Sequence, residues 1–152
     1  MTESLNQTLL ELALDIAKST SHILVNERPT NMVFESKSTP VDLVTEMDKK
    51  AEQHIVERVK EVRPNDSFLG EEGMAVPPQN PSNVKWIIDP IDGTVNYFYN
   101  HPYWAVSIGI EIDGELYADG GLVSPIASEL ITKKEKKHTL GIVLHRGYKK
   151  YE

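Results

Sequence analysis

Two stretches of the chain carry apolar residues at helical spacing. The first follows Ser4, which forms a capping-box pattern with Gln7, and predicts a helix over about residues 4–26. The second follows Thr45, which has the same spacing to Asp48, and predicts a helix over about residues 45–62. The apolar positions are Leu5, Leu9, Leu12, Ile16 and Ile23 in the first helix, and Ala51, Ile55, Val59 and Val62 in the second.

Short apolar runs separated by turn residues predict a series of strands. They cover residues 32–35, 67–69, 84–88, 104–110, 115–123 and 129–132. Asp113-Gly114 lies between two of these runs and is typical of a hairpin turn. Short hairpin links favour antiparallel pairing, so we expect an α+β domain with two helices packed on a largely antiparallel sheet.

The strand at residues 84–88 leads into the sequence DPIDGT at residues 89–94. Pro90 has no backbone N–H for the ladder, so the strand is predicted to end at Asp89. Asp92-Gly93 is a turn dipeptide, and Thr94 can cap a helical turn over residues 96–98. The strand end and the turn therefore hold two carboxylates three residues apart.

Two carboxylates in one tight, partly buried turn repel each other unless they are protonated or neutralised. A divalent cation such as Mg²⁺ neutralises hard oxygen ligands well, so this turn is a candidate metal site. The amides of Gly93 and Thr94, at the start of a helical turn, would suit a phosphate. The alternative is an ordinary exposed loop.

A second acidic segment, Gly70-Glu71-Glu72-Gly73, follows the strand at residues 67–69. Carboxylates at the ends of two successive strands suggest that the two ends converge in the fold, although a solvated loop would also explain them. Asp48 lies in the first turn of a helix, where the helix dipole favours a carboxylate whatever its function. The histidines at positions 22, 54 and 101 are predicted to be a surface, a helix-face and a loop residue.

Composition limits the possible functions. The 152 residues, 39% of them hydrophobic, suit one domain with a real core. The net charge of −7 argues against nucleic-acid binding. The chain has no cysteine, which excludes disulfides, thiol catalysis and cysteine-ligated zinc, and fits a cytoplasmic protein. No apolar run reaches membrane-spanning length, so we expect no membrane partner.

Charge is distributed unevenly along the chain. Residues 133–152 hold seven Lys or Arg and two Glu, a net of +5, whereas residues 1–132 carry −12. This composition break near Thr132 predicts a domain over residues 1–132 and a divergent basic tail over residues 133–152.

Four blocks of the sequence resemble the inositol monophosphatase family. They are KSTPVDLVTEMD at residues 37–48, GEE at 70–72, WIIDPIDGTVN at 86–96 and AVSIG at 105–109. The resemblance covers about residues 1–132. It implies a layered α+β fold and a Mg²⁺-dependent, Li⁺-inhibited phosphate-monoester hydrolase, usually a homodimer, that acts on inositol monophosphate. A bisphosphate nucleotidase or fructose-bisphosphatase of the same superfamily is an alternative.

The resemblance also implies roles for individual residues around two or three Mg²⁺ ions. The metal ligands would be Glu71, Asp89, Asp92 and the carbonyl of Ile91. Asp48 would pair with Thr94, and Glu71 with Thr94 would orient the attacking water. Asp92, Gly93 and Thr94 would contact the substrate, the last two through their amides to the phosphate. Lys37 and Glu72 would lie next to the metal ligands without binding the metal themselves.

The chain departs from the family after residue 132. Family members continue through an R-G-x-G-A segment into a second α/β half with the motif W-D-x-A-A-G, whose Asp completes the second metal site. Neither motif occurs in these 152 residues, so we expect the C-terminal half of the family to be absent. A truncated, non-catalytic remnant is therefore the alternative to an active phosphatase.

Overall fold

The structure is a computed structural model that describes residues 5–36, 43–117 and 141–145. Within these ranges the helices are α1 (Leu5–Asn26), α2 (Glu46–Val62) and α3 (Thr94–Phe98). The strands are β1 (Phe34–Ser36), β2 (Leu43–Thr45), β3 (Ser67–Gly70), β4 (Val84–Asp92), β5 (Ala105–Ile112), β6 (Glu115–Tyr117) and β7 (Gly141–His145).

Strands β4 and β5 form the centre of a five-stranded sheet. They pair antiparallel with each other, and β3 runs parallel to β4 on its outer side. The other edge of β5 pairs antiparallel with β6 at residues 110–112 and with β7 at residues 105–109. Strands β1 and β2 form a separate antiparallel pair. The predicted α+β class with a largely antiparallel sheet is confirmed, and the β3–β4 pair is its parallel exception.

Helices α1 and α2 pack against each other and against the central strands β5 and β4. Ile16 and Ile55 of the predicted apolar stripes are fully buried in the core. Two predicted core positions are wrong: Leu5 is 42% exposed and Val62 is 62% exposed. Leu5 lies in the first turn of α1, before the first buried residue of that helix, and Val62 lies in the last turn of α2, after the last buried residue. None of the described helices is long and apolar enough to cross a membrane.

The predicted start of α2 is confirmed. Thr45 is its N-cap, and its side chain accepts from the amides of Met47 and Asp48 while Asp48 accepts from the amide of Thr45. Strand β2, which leads directly into this cap, was not predicted. Its partner β1 lies at Phe34–Ser36 rather than at residues 32–35. The equivalent cap of α1, Ser4, lies outside the described residues.

Strand β4 does not end at Asp89, as predicted, but continues through Pro90 to Asp92. Asp89 pairs with Ser107 and Asp92 with Ala105, so β4 holds one extra residue between these two pairs. Such a β-bulge tolerates a proline, because its residues leave the regular ladder and the missing N–H costs no pairing bond. The bulge keeps both aspartates in the sheet and bends the strand between them.

The predicted hairpin after β5 is confirmed. Asp113 and Gly114 both have positive φ angles, of 53° and 79°, as a two-residue turn of type I′ requires. The strand predicted at residues 129–132 lies outside the described residues. Strand β7 was not predicted, and it lies within the segment expected to form a basic tail. The domain boundary near residue 132 stays a prediction.

Candidate functional site

The acidic ends of β3 and β4 lie side by side because these two strands are parallel. Gly70, the last residue of β3, is in register with Ile88. The next residue, Glu71, donates its amide to the carbonyl of Ile88 over 3.2 Å. Glu71 therefore leaves β3 beside Asp89, which follows Ile88 in β4. The two acidic strand ends converge, as their positions in the sequence suggested.

Asp89 is a buried carboxylate beside other carboxylates. The residue is 9% exposed, and among the residues that the structure describes no donor group gives a hydrogen bond to either of its carboxylate oxygens. Burial, together with the nearby charges of Glu71 and Asp92, raises the pKa of Asp89 to about 8. A buried carboxylate of this kind needs a proton or a cation to offset its charge.

The oxygens around Asp89 suit a hydrated divalent cation. Glu71 is exposed and Asp92 is half-buried, and both are close enough for their charges to act on the buried Asp89. In the described part of the chain, no three His, Asp or Glu side chains are gathered closely enough to enclose a metal ion. Mg²⁺ does not need such a cage, since it keeps several waters and uses one or two carboxylates and substrate phosphates. The unpartnered oxygens of Asp89 therefore fit this ion in charge and in ligand type.

Asp48 and Thr94 lie in direct contact, 46 residues apart in sequence. The Thr94 hydroxyl is 3.0 Å from Asp48 Oδ1 and 3.0 Å from the carbonyl of Ile91. The other oxygen of Asp48 accepts from the amide and the hydroxyl of Thr45, over 2.8 and 2.5 Å. Burial raises the pKa of Asp48, and the hydrogen bonds from Thr45 and Thr94 partly oppose that rise. The predicted contact between Asp48 and Thr94 is present.

Thr94 is not the helix cap that the sequence predicted. The N-cap of α3 is Gly93, and the Thr94 hydroxyl points to Asp48 and Ile91 instead. Gly93 has a φ angle of 92°, in the left-handed region that favours glycine. A Cβ atom there would also lie 2.8 Å from the carbonyl of Tyr103. The turn therefore requires glycine, which leaves the backbone uncovered by a side chain.

Sequence analysis overlooked Glu52, a fully buried residue of α2. Its two carboxylate oxygens accept from the amides of Glu72 and Met74, over 2.7 and 2.8 Å. The only sequence signal is its position on the core-facing side of α2, one turn after Asp48 and beside the apolar Ala51. A charged residue on a buried helix face needs partners, and here the loop after β3 supplies them.

The remaining predicted residues are Lys37, Glu72 and the three histidines considered above. Lys37 lies outside the described residues, so its role stays a prediction. Glu72 is half-buried, and its amide is held by Glu52. His22 and His101 are exposed, as predicted. His54 lies on α2, as expected, with its Nε2 atom 2.9 Å from Ser19 Oγ of α1.

The charge on Asp89 should destabilise the chain when no metal is present. We expect Asp89→Asn to raise the free energy of unfolding at about pH 8 by about 1–3 kcal/mol, because it removes a buried, unpartnered anion. The pKa in the folded chain, about 8, is above the ordinary value of 3.8. The folded state therefore holds a proton that the unfolded state has released, and wild-type stability falls as the pH rises through this interval. The difference in the free energy of unfolding between Asp89→Asn and wild type should become smaller toward about pH 4.

Urea unfolding in EDTA at a series of pH values measures this difference. Asp15→Asn is the matched control, since Asp15 is exposed and its ion pair with Arg58 should contribute little. An Asp89→Asn chain that is less stable than wild type near pH 8 would contradict the assignment of Asp89 as an uncompensated anion.

Comparisons with known proteins agree with this fold. The model of the inositol monophosphatase family matches residues 5–142. Inositol monophosphatase 1 of Homo sapiens is 34% identical over 133 residues, which are 86% of this chain and 48% of the human protein. Inositol-1-monophosphatase of Bacillus subtilis is 44% identical over 85 residues, which are 56% of this chain and 32% of that protein.

Solved structures give the same result. The extragenic suppressor protein suhB from Bartonella henselae superposes with a TM-score of 0.65 at 28% identity, over 72% of this chain and 43% of that one. An IMPase from Thermotoga maritima superposes with a TM-score of 0.63 at 28% identity, over 72% and 41% of the two chains. This chain spans about half the length of the human relative. The family match covers most of the 152 residues, and the chain therefore belongs to the inositol monophosphatase family.

Proposed function

We propose that the chain carries the acidic site of a Mg²⁺-dependent phosphate-monoester hydrolase whose substrate is inositol monophosphate. One observation carries the proposal: the buried Asp89 lies beside the carboxylates of Glu71 and Asp92, and in the described part of the chain no donor group gives a hydrogen bond to either of its oxygens. A fold gains nothing in stability from such a group, so its presence favours a role in binding a cation. The substrate is proposed from the names of the relatives and from the sequence resemblance.

The proposed metal ligands are Glu71, Asp89, Asp92 and the carbonyl of Ile91. Mg²⁺ bound there would neutralise charge on the phosphoryl oxygens and make a bound water more acidic. The Ile91 carbonyl oxygen, 3.0 Å from the Thr94 hydroxyl, has two lone pairs, so one stays available to a cation even when Thr94 donates to it. The exposed Glu71 is proposed to orient the attacking water together with Thr94. The proposal includes two or three ions, as the resemblance implies.

Thr94 and Asp48 are proposed to take the proton from the attacking water. The Thr94 hydroxyl has one proton and two acceptors in reach, Asp48 Oδ1 and the Ile91 carbonyl. When it donates to Asp48, its lone pairs are open to accept from a water. The raised pKa of Asp48 makes this carboxylate a better proton acceptor than an exposed one. The proton would pass from water to Thr94 Oγ1, and from there to Asp48 Oδ1.

The substrate phosphate is proposed to lie against the amides of Gly93 and Thr94. Gly93 supports this role, because its φ angle and the nearby Tyr103 carbonyl exclude a side chain. A phosphate can therefore approach the backbone closely. Asp92, half-buried next to Gly93, is proposed to contact the substrate as well. Lithium inhibition and a homodimer belong to the same proposal and rest on the resemblance to the family. A cytoplasmic location is proposed as well, and the cysteine-free sequence fits it.

A non-catalytic role is the second candidate, and one observation favours it. In the residues that the structure describes, no three acidic or histidine side chains are gathered closely enough to enclose an ion. In this case the chain would bind Mg²⁺ weakly and release no phosphate. Nucleotide bisphosphate and fructose bisphosphate are the alternative substrates within the same superfamily.

Phosphate release by the purified 152-residue chain tests the proposal. We expect Mg²⁺-dependent release from inositol 1-phosphate, faster than from fructose 1,6-bisphosphate or 3′-phosphoadenosine 5′-phosphate, and none in EDTA. Asp89→Asn should abolish it, because a ligand charge is lost while the shape of the side chain is kept. Asp15→Asn should retain it. No release from soluble, folded protein would favour the non-catalytic role, and near-normal activity of Asp89→Asn at saturating Mg²⁺ would remove Asp89 from the site.

Two variants of Thr94 test the proton path. Thr94→Val keeps the shape but removes the hydroxyl, so we expect kcat to fall by about 10²- to 10⁴-fold with little change in KM. Thr94→Ser keeps the hydroxyl and should retain most of the activity. Steady-state kinetics measures both, with circular dichroism to establish that both variants fold. A Thr94→Val enzyme with the wild-type kcat would show that the hydroxyl plays no part in the chemical step.

A further inference from the structure

We propose that Glu52 is a positioning residue that fixes the loop after β3 and thereby sets the affinity of the acidic site for divalent cations. The part of the inference that concerns affinity rests on the proposed function. The part that concerns the loop rests only on the geometry of Glu52, Gly70, Glu72 and Met74.

Glu52 binds the loop with both carboxylate oxygens. Oε2 accepts from the amide of Glu72 over 2.7 Å, and Oε1 accepts from the amide of Met74 over 2.8 Å. Gly73, between these two residues, has a φ angle of 67°, which turns the chain so that both amides face one anion. The carboxylate of Glu52 thus occupies a small anion-binding turn of the backbone.

Gly70 makes room for this contact. A Cβ atom at Gly70 would lie 2.2 Å from Glu52 Oε1, so a side chain there would displace the carboxylate. Gly70 is also the residue in register with Ile88 of β4. The backbone of the loop is therefore fixed at two points, through Gly70 and Glu71 to the sheet and through Glu72 and Met74 to α2.

Glu71 belongs to the first fixed point and directly precedes the second, so its position depends on both. The bond from its amide to Ile88 holds only the start of the loop, whereas Glu52 holds the residues just after it. Loss of the Glu52 contacts would remove the hydrogen bonds to the amides of Glu72 and Met74, which follow Glu71 directly. Residues that hold metal ligands in place typically change metal affinity by about 10- to 100-fold when they are replaced.

The test uses the full 152-residue chain with Glu52→Gln and, as a matched control on the same helix, Glu57→Gln at an exposed position. Amide hydrogen exchange of the metal-free protein, followed by NMR, reports on the loop. Mn²⁺ affinity, followed by electron paramagnetic resonance of the free ion, reports on the site. For Glu52→Gln we expect exchange at Glu72 and Met74 to be at least about tenfold faster, with exchange at Ile88 unchanged. We expect Mn²⁺ affinity to fall by about 10- to 100-fold. Glu57→Gln should match wild type in both measurements.

Several results would overturn the inference. Unchanged exchange at Glu72 and Met74 would show that Glu52 does not hold the loop. Exchange that rises by the same factor at Ile88 would show that Glu52 acts on overall stability alone. If Glu52→Gln bound Mn²⁺ with wild-type affinity, the loop would not control the metal affinity of the site. If the wild-type chain binds no Mn²⁺, the proposed function fails with the affinity part, while the exchange data still decide the loop part.

Glu52→Asp keeps the test decisive if the glutamine variant does not fold. Aspartate retains the buried charge but is one methylene shorter, so it cannot reach both amides from the same helix position. We expect faster exchange at Glu72 and Met74 and weaker Mn²⁺ binding in this variant too. Wild-type values in both measurements would overturn the inference.

Discussion

The compensation of buried carboxylates is the constraint on which this structure depends. Among the described residues, four acidic side chains are buried: Asp48, Glu52, Asp66 and Asp89. Asp48 and Glu52 accept hydrogen bonds from the backbone, and Asp66 accepts from Arg63, Ser82 and the indole of Trp86. Asp89 differs from the other three, because in the described part of the chain no donor group gives a hydrogen bond to either of its oxygens. Burying a carboxylate costs free energy unless it is paired. A cation bound at Asp89 would therefore lower the free energy of the folded state.

Helix α2 contacts the two segments that border Asp89. Asp48 and Glu52 lie one helical turn apart, and each holds one of the two segments that border Asp89. Asp48 contacts Thr94 after β4, and Glu52 holds the loop after β3. The parallel pairing of β3 and β4 brings those two segments together. The packing of α2 on β4 thus fixes the relative positions of groups that come from distant parts of the sequence.

Sequence periodicity predicted what depends on local pattern. The apolar stripes gave α1 and α2, the capping pattern placed the start of α2 at Thr45, and Asp113-Gly114 gave the hairpin. The sequence could not show that β4 continues through Pro90, because the bulge exists only opposite β5. For the same reason it assigned the Thr94 hydroxyl to a cap, since the competing acceptor on Asp48 is 46 residues away.

The acidic site was predicted in part. The sequence suggested that the carboxylates of Glu71 and Asp89 converge, and the parallel register of their strands accounts for it. Glu52 was missed because a glutamate on a helix face is ordinarily solvated, and its burial depends on amides that a distant loop provides. The functional roles of these residues remain proposals that rest on geometry and on family membership.

The most direct test is the effect of Mg²⁺ on the free energy of unfolding of wild type and of Asp89→Asn, measured by urea denaturation at one pH near 7.5. A ligand that binds only the folded state stabilises it by an amount that grows with concentration above Kd, about 2.7 kcal/mol at a hundredfold excess. The account predicts that Mg²⁺ stabilises wild type progressively and leaves Asp89→Asn unchanged. Equal stabilisation of both chains, or none of wild type, would contradict a cation site at Asp89.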